Sequence, residues 1–588
     1  AKLRYHVILY FKEEKVSNDT LMQVAFCSNF RTKSSTIMAY AIKHNYLIIY
    51  YKNRFMSIII KQLSYIHPDK ESLFHNINFS VYKGQKVSLI GSNGSGKSTL
   101  LSIIAGSMHP SEGEVIYQDE CPYYVPQHFG QYNHYTVAEA LQISEKLRAL
   151  HAILEGNTDM TNFTLLEDDW NIEERAYSAM SKWGLSHIRL SETMKNLSGG
   201  EKTKVFLAGT YIHSPVNILL DEPSNHLDKT GRELLYVLMK NSNATIIVVS
   251  HDRTLLNLID LTFELTHNKI EIYGGNYEFY KIKKAEQQEA LQSHLEEKQK
   301  ELRKARTIAR ETAERKQKRD ERGKKDLGDK GIPRIMLNTI RNRAESSAAK
   351  LQETHANKME NIADEMKQLR QQLPEKKDLK LNFDDADLHI GKILVTAQNI
   401  SFGYSDQMLW SSPLDFEIRS GERIVIKGEN GTGKTTLLKL IFGNLEARQG
   451  YIIRSDFQYL YIDQDYSIID NKLTVFEQLQ KFNSAHLSED ELRILLHRYL
   501  FTYNTWNKPC KKLSGGEKMR LVFCCMQVDN KAPDMFILDE PTNNLDIQSL
   551  DIVTDTIKDY KGTLLVISHD AYFVKEIGIT KEIELKDH

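Results

Sequence analysis

The chain has little that would staple it together or hold it in a membrane. Its 588 residues include five cysteines: Cys27, Cys121, Cys510, Cys524 and Cys525. No two are spaced as Cys-x-x-Cys, which argues against a zinc or iron–sulfur site. Thiols this few and scattered do not make a disulfide framework either, and this fits a reducing cytosol. No stretch reaches the roughly 18–20 uncharged apolar residues of a membrane helix. The apolar run 46–51 is short and flanked by Lys43 and Lys52. The expectation is a cytoplasmic chain that does not cross a membrane by itself. Net charge is also nearly absent, at −1. Any nucleic-acid or membrane partner must therefore be read from local patches. Apolar content of 41% and charged content of 26% are ordinary for globular proteins, and the length calls for several domains. Residues 1–55 carry no motif or period, and Met56-Ser57-Ile58-Ile59-Ile60 reads like a first strand. The leading segment is expected to be upstream sequence or a disordered lead. Glu13, Glu14 and Asp19 interrupt it, and a signal-like apolar core is missing, which argues against a targeting peptide.

What is present is one unit written twice. Gly91, Ser92, Asn93, Gly94, Ser95, Gly96, Lys97, Ser98 and Thr99 recur as Gly428, Glu429, Asn430, Gly431, Thr432, Gly433, Lys434, Thr435 and Thr436. Leu197-Ser-Gly-Gly-Glu201 recurs at 513–517, Asp221-Glu-Pro-Ser-Asn-His-Leu-Asp228 at 539–546, and Ser250-His-Asp252 at 568–570. Lys97 to Gln127 spans 30 residues, as does Lys434 to Gln464; Glu222 to His251 spans 29, as does Glu540 to His569. Repeated order at matched spacing means a duplicated domain. One interval differs: Gln127 to Ser198 is 71 residues and Gln464 to Ser514 is 50. The first copy thus carries about 21 extra residues within 132–195, either a tolerated surface insertion or an arm that touches a partner.

The repeated residues define a chemistry. An apolar strand at 87–90 feeds the first glycine-rich loop and a helix follows it, the context a phosphate-binding loop needs. Its glycines let backbone amides approach phosphate oxygens, and the helix start adds positive potential. Lys97 and Lys434 are placed to reach the β- and γ-phosphates of ATP, and Ser98 and Thr435 to hold Mg²⁺. The apolar runs 218–220 and 536–538 read as buried parallel strands ending in carboxylates. Asp221 and Asp539 would hold Mg²⁺ through water, and Glu222 and Glu540 would polarise the attacking water.

Leu-Ser-Gly-Gly-Glu, with the motifs around it, resembles the signature of ATP-binding cassette proteins. That resemblance implies that each signature completes the site of the other cassette. Ser198, Gly199, Gly200 and Glu201 would then face Lys434, and Ser514, Gly515, Gly516 and Glu517 would face Lys97. It further implies that Gln127 and Gln464 lie near Mg²⁺ and the water, that His251 and His569 contact the γ-phosphate, and that Tyr404 stacks on adenine. At the matching place the first copy has His67, with Tyr65 nearby, so the stacking role there is open. Both copies keep the glutamate, the signature and the histidine, so two hydrolysing sites are expected. Asn544 replaces His226 in the second copy.

Between the copies, residues 281–377 are rich in Glu, Lys, Gln, Arg and Ala, which favours long helices. Gly323, Gly328, Gly331 and Pro333 mark a turn. Two antiparallel helices of about 40 residues, roughly 60 Å long, are expected, with Leu291, Leu295 and Leu302 facing Leu351, Met359, Ile362 and Met366. This segment holds 26 Lys and Arg against 17 Asp and Glu. Most of the excess sits at 315–343, with 11 against 4. Arg315, Lys316, Lys318, Arg319, Arg322, Lys324, Lys325, Lys330, Arg334, Arg341 and Arg343 suit RNA phosphates. The run 332–337 beside them could cap the hairpin or contact RNA or tRNA.

Two cassettes, a charged hairpin between them and no membrane span resemble the ABC-F proteins, cytosolic ATPases of which many act on the ribosome. The expected architecture is α/β: residues 1–55, a cassette at 56–280, a hairpin at 281–377 and a cassette at 378–588. The resemblance implies a monomer whose cassettes pair within the chain, with the hairpin reaching rRNA and tRNA in translation or in ribosome protection against antibiotics. The alternative is an ATPase subunit docked on separate membrane proteins, for which a basic hairpin has no evident purpose. A DNA-repair ATPase of the SMC type would split one cassette with a far longer coiled coil, whereas both cassettes are intact here.

Overall fold

The apolar runs that end in Asp-Glu are interior strands, and their burial explains their composition. The computed structural model describes residues 56–67, 72–266, 269–327, 350, 353–370, 391–404, 408–429, 431–529, 533–542 and 545–585. Residues 1–55, the turn and apolar run of the linker at 328–343, the 377/378 boundary, Asn430 and Asn544 lie outside the described residues.

In the first cassette the strands are β1 (Met56–Ile66), β2 (Ser72–Tyr82), β3 (Lys86–Ile90), β4 (Glu112–Tyr117), β5 (Tyr123–Val125), β6 (Asn217–Asp221), β7 (Thr245–Val249), β8 (Leu261–Thr266) and β9 (Lys269–Tyr273). They form an antiparallel sheet in the order β2-β1-β4 and a core sheet in the order β5-β6-β7-β3-β8-β9. The core sheet is parallel except for β9. Every residue of β6 and β7 is buried, because helices cover both faces of a parallel sheet. The second cassette repeats the plan with β10 (Ile393–Ser401), β11 (Leu414–Arg419), β12 (Arg423–Lys427), β13 (Gln449–Arg454), β14 (Tyr459–Ile462), β15 (Met535–Asp539), β16 (Thr563–Ile567) and β17 (Lys581–Glu584). Its sheets are ordered β11-β10-β13 and β14-β15-β16-β12-β17.

The helices that matter to the site follow the strands that place them. They are α1 (Lys97–Ile104), α2 (Gly199–His213), α3 (Lys229–Asn241), α4 (Arg253–Asn257), the linker helices α5 (Tyr277–Leu327) and α6 (residues 353–370), α7 (Lys434–Phe442), α8 (Gly515–Asp529), α9 (Ile547–Asp559) and α10 (Ala571–Glu576). The extra residues of the first copy fall in its helical part. Helices Val137–Ala140, Ser144–Leu154, Met160–Leu166 and Ile172–Lys182 stand there, against Val475–Lys481, Glu489–Arg498 and Tyr503–Trp506 in the second copy. The four described cysteines, Cys121, Cys510, Cys524 and Cys525, are free thiols.

The linker helix differs from expectation in its extent. It starts at Tyr277 rather than 281 and runs 51 residues, about 75 Å at 1.5 Å per residue. It passes Gly323 without a break, since one glycine costs a helix only about 1 kcal/mol. Five of the seven expected seam residues pack together; Leu291 is not among them, and Leu351 lies outside the described residues. Leu295, Ala305, Ile362 and Met366 are buried together, with Leu302, Met359 and Leu369 packed on them. Lys298 joins Glu365 across the two helices at 2.6 Å.

Candidate functional site

Each glycine-rich loop turns from strand into helix at a glycine with positive φ, Gly96 at 91° and Gly433 at 85°. A side chain there would be strained. Neither α1 nor α7 has a side-chain cap, so the first-turn amides are open to an anion. The lysines are tethered to their own loops. Lys97 Nζ donates to the carbonyls of Gly91 and Ser92 at 2.7 and 3.1 Å. Lys434 Nζ donates to those of Gly428 and Glu429 at 2.8 and 2.9 Å.

The acidic pairs stand at the ends of β6 and β15. Glu222 and Glu540 both have φ of 49°, a conformation unusual for a residue with a side chain. Each is pinned by its amide, which donates to Val249 or Ile567 at 2.8 Å. His251 Nε2 lies 3.0 Å from Glu222 Oε1, and His569 Nε2 lies 3.5 Å from Glu540 Oε1. Burial raises the Glu222 carboxyl well above the usual carboxylate range, helped by Asp221 and opposed by Lys97. Burial pushes Glu540 up to about 7, with Arg232 of the other cassette as the strongest opposing charge. Burial and the neighbouring lysines push His251 down to about 3 and His569 to about 4. Both imidazoles are therefore neutral at pH 7.

Magnesium fits the residues present. Ser98 stands beside Asp221 and Thr435 beside Asp539. The buried Oδ1 of Asp221 has no hydrogen-bond partner. Among the described residues no group of three or more His, Cys, Asp or Glu makes a metal cage. Mg²⁺ does not need one, since it takes one or two protein ligands together with phosphates and water.

The signatures are helix starts. Ser198 and Glu201 form a reciprocal cap on α2, the Ser198 amide donating to Glu201 Oε2 at 2.8 Å and the Glu201 amide to Ser198 Oγ at 3.3 Å. Ser514 and Glu517 repeat this on α8 with the same two distances. The two glutamates thus brace the loops from within.

The cassettes meet face to face. A cavity of about 800 Å³ is lined by Asn93, Lys97, Ser98, Gln127, Glu222 and His251 of the first cassette and by Ser514, Gly515 and Lys518 of the second. Gln464, assigned by its motif to the Lys434 site, also lines this cavity, as do His67 and Leu73. The Asn93 amide donates to Asp546 Oδ2 across the interface at 3.0 Å. On the other side Thr230 Oγ1 donates to Glu429 Oε1 at 2.9 Å. Tyr404 is 66% exposed, and its hydroxyl lies 3.1 Å from Thr436 Oγ1 at the start of α7.

Residues 74–225 and 411–543 match the family described as ABC transporter. The chain is 31% identical over 544 residues to ABC transporter F family member 2 of Arabidopsis thaliana, covering 88% of this chain and 74% of that protein. The chain belongs to the ABC transporter F family. It is therefore an ATP hydrolase with two nucleotide-binding cassettes. Another relative is the ribosome protection protein VmlR of Bacillus subtilis, 28% identical with 89% and 86% covered. The fold is shared with the archaeal ribosome recycling factor aABCE1, solved in complex with ribosomal stalk protein aP1, at a TM-score of 0.53 and 20% identity, with 88% and 86% covered. No described helix is long and apolar enough to cross a membrane.

Motif reading missed the residues that act between cassettes. Asp228 and Asp546 follow the acidic pairs, and both are buried. Arg232 and Arg253 are buried cations, 9% and 3% exposed. A buried arginine has no signal in a single sequence, because surface helices are full of arginines. The position of Asp546, last in the repeated motif, was the one available hint.

Proposed function

We propose that this chain is a cytoplasmic, ATP-driven ribosome factor that binds Mg²⁺ and ATP at two sites, each shared between the cassettes. The cavity lined by both Lys97 and Ser514 carries this reading. At that site the 91–99 loop and Lys97 would hold the phosphates, and Ser514, Gly515 and Gly516 would close over them from the other cassette. Ser198, Gly199 and Gly200 would do the same for the 428–436 loop and Lys434. Glu201 and Glu517 position those loops. Mg²⁺, held by Ser98 and Asp221 or by Thr435 and Asp539 with Gln127 or Gln464 nearby, would neutralise charge between the phosphates.

Hydrolysis needs a base and a donor aimed at the γ-phosphate. Glu222 and Glu540 fit the base, since burial brings their proton affinity near neutrality, where a general base works best. Neutral His251 and His569 each have a ring N–H to offer a phosphate oxygen. Tyr404 stands where a base could stack beside α7. ATP held between the cassettes favours the paired state and hydrolysis releases it, which makes the pair a two-state element.

The ribosome enters through the linker and the relatives. The basic excess at 315–343 suits rRNA phosphates and a bound tRNA, and VmlR is a ribosome protection protein. One chain supplies both cassettes, so a monomer suffices. The test is cosedimentation of the Glu222→Gln/Glu540→Gln protein with ribosomes. Binding in ATP but not ADP, lost when the basic residues are neutralised, is the expected result. A trapped, paired protein that ignores ribosomes would remove the ribosome reading and leave the ATPase.

A further inference from the structure

His251 is followed two residues later by an arginine that leaves its own cassette. Arg253 Nη1 donates to Glu576 Oε2 of α10 at 3.1 Å, and Nη2 donates to Asp551 Oδ1 of α9 at 2.5 Å. The guanidinium is almost fully buried, while its two carboxylates keep some contact with water. One turn on, Asn257 Nδ2 donates to the Tyr572 hydroxyl of the second cassette at 3.1 Å.

The same short helix carries the root of the linker. The Glu278 amide donates to Asn257 Oδ1 at 3.1 Å. Tyr277 is buried against Leu256 of α4 and against Ile90, the residue just before the phosphate loop. Arg253, Tyr277, Lys281, Tyr572 and Glu576 line one cavity of about 160 Å³. Three parts of the molecule therefore meet at α4: the loop holding His251, the second cassette and the start of α5.

The mirror position is built differently. Ala571 stands where Arg253 would be, and Leu258 matches Glu576. Around Ala571, with Glu233 and Lys575, lies an open groove of about 890 Å³. The clamp exists on one side only.

We propose that Arg253 is a positioning residue that couples the Lys97 site to the linker. Pairing of the cassettes at that site engages Asp551 and Glu576, fixes α4, and so fixes the seat of Tyr277 and α5. The Lys434 site has no equivalent wire. This rests on the reading that ATP pairs the cassettes, and its test separates the two.

The experiment is amide hydrogen exchange on the Glu222→Gln/Glu540→Gln protein in ATP and in ADP, with and without Arg253→Ala. Peptides over 91–99 and 513–518 report pairing, and a peptide over 277–287 reports the linker root. In the parent, ATP slows exchange in all three. With Arg253→Ala the first two keep their ATP protection, while root protection falls by roughly ten-fold or more, as expected when a buried charge pair loses a partner. Arg253→Lys restores part of it. Asp551→Asn/Glu576→Gln reproduces the loss from the second cassette with Arg253 in place, which covers misfolding of the alanine variant. Unchanged root protection in both variants overturns the proposal. So does equal loss at all three peptides, which would make Arg253 an interface residue and nothing more. No ATP protection in the parent sinks the pairing reading itself and the proposal with it.

Discussion

The two ATP sites are alike in chemistry and unlike in surroundings. Both have a lysine tied to its loop carbonyls, a glutamate at φ 49° and a signature closed by a serine–glutamate cap. Around the Lys97 site the second cassette grips hard, through Asp546 on the Asn93 amide and through the carboxylates on Arg253. On the Lys434 side Thr230 meets Glu429, and an open groove lies around Ala571, where the mirror of the Arg253 clamp would be. There, however, Arg232 lies close to Glu540, while its counterpart in the second cassette is Leu550. Duplication thus kept the parts proposed to touch ATP and let the parts proposed to transmit or tune diverge. Chemistry demands the first set at fixed geometry, and only one linker root has to be served by the second.

The largest effect should come from removing what the sites share. Glu222→Gln/Glu540→Gln is expected to lower phosphate release by roughly 10²–10⁴-fold, the usual contribution of a general base. Residual turnover near the parental rate would show that the glutamates are not the bases. The next experiment sharpens the difference. In a Glu222→Gln background only the Lys434 site turns over, and Arg232→Leu makes it resemble its sister. Loss of that positive charge raises the Glu540 proton affinity further. Turnover at pH 7 should fall by up to about ten-fold, one unit's worth of pKa, and recover at pH 9. A loss that ignores pH would point to packing instead.

The same background tests the sign of the Glu540 shift. A base works when deprotonated, and burial has pushed this carboxyl up to about 7. Turnover should therefore decline as pH drops through 7, where an ordinary exposed carboxylate would hold it constant to about pH 5. The smallest effect concerns stability. A buried carboxyl whose folded proton affinity exceeds its unfolded one weakens the fold as pH rises between the two values. Glu222→Gln removes that cost, so the nucleotide-free protein should melt higher at pH 8, by about 2–4 °C for each kcal/mol regained in a domain of this size. At pH 5, where the glutamate is largely protonated, the gain should shrink. Calorimetry at both pH values checks it.

The residues proposed to bind phosphate were legible in the sequence because their chemistry is local. A glycine loop between an apolar strand and a helix, or a carboxylate pair after a buried strand, is written in consecutive letters. The β6 and β15 strands and the seam of Leu295, Ile362 and Met366 were legible through periodicity and composition. The start of α5 at Tyr277 was not, because aromatic residues in a Tyr-Gly-Gly-Asn-Tyr stretch do not look like a charged linker. Tyr277 is buried there by Leu256 and by Ile90, the latter arriving from a distant part of the chain. Arg253 was illegible for the same reason. Its partners lie about 300 residues away, and nothing near it in sequence tells a buried guanidinium from a solvated one. The structural roles of Glu201 and Glu517 were hidden behind a motif whose spacing is also that of a helix cap.

The proposal that each site is finished by the opposite cassette can be tested with one substitution. In a Glu540→Gln background only the Lys97 site turns over, and Ser514→Arg changes a residue that belongs to the other cassette. Phosphate release should then fall to the level of the double glutamine variant. Turnover that persists at the Glu540→Gln rate would contradict the shared site and leave each cassette acting alone.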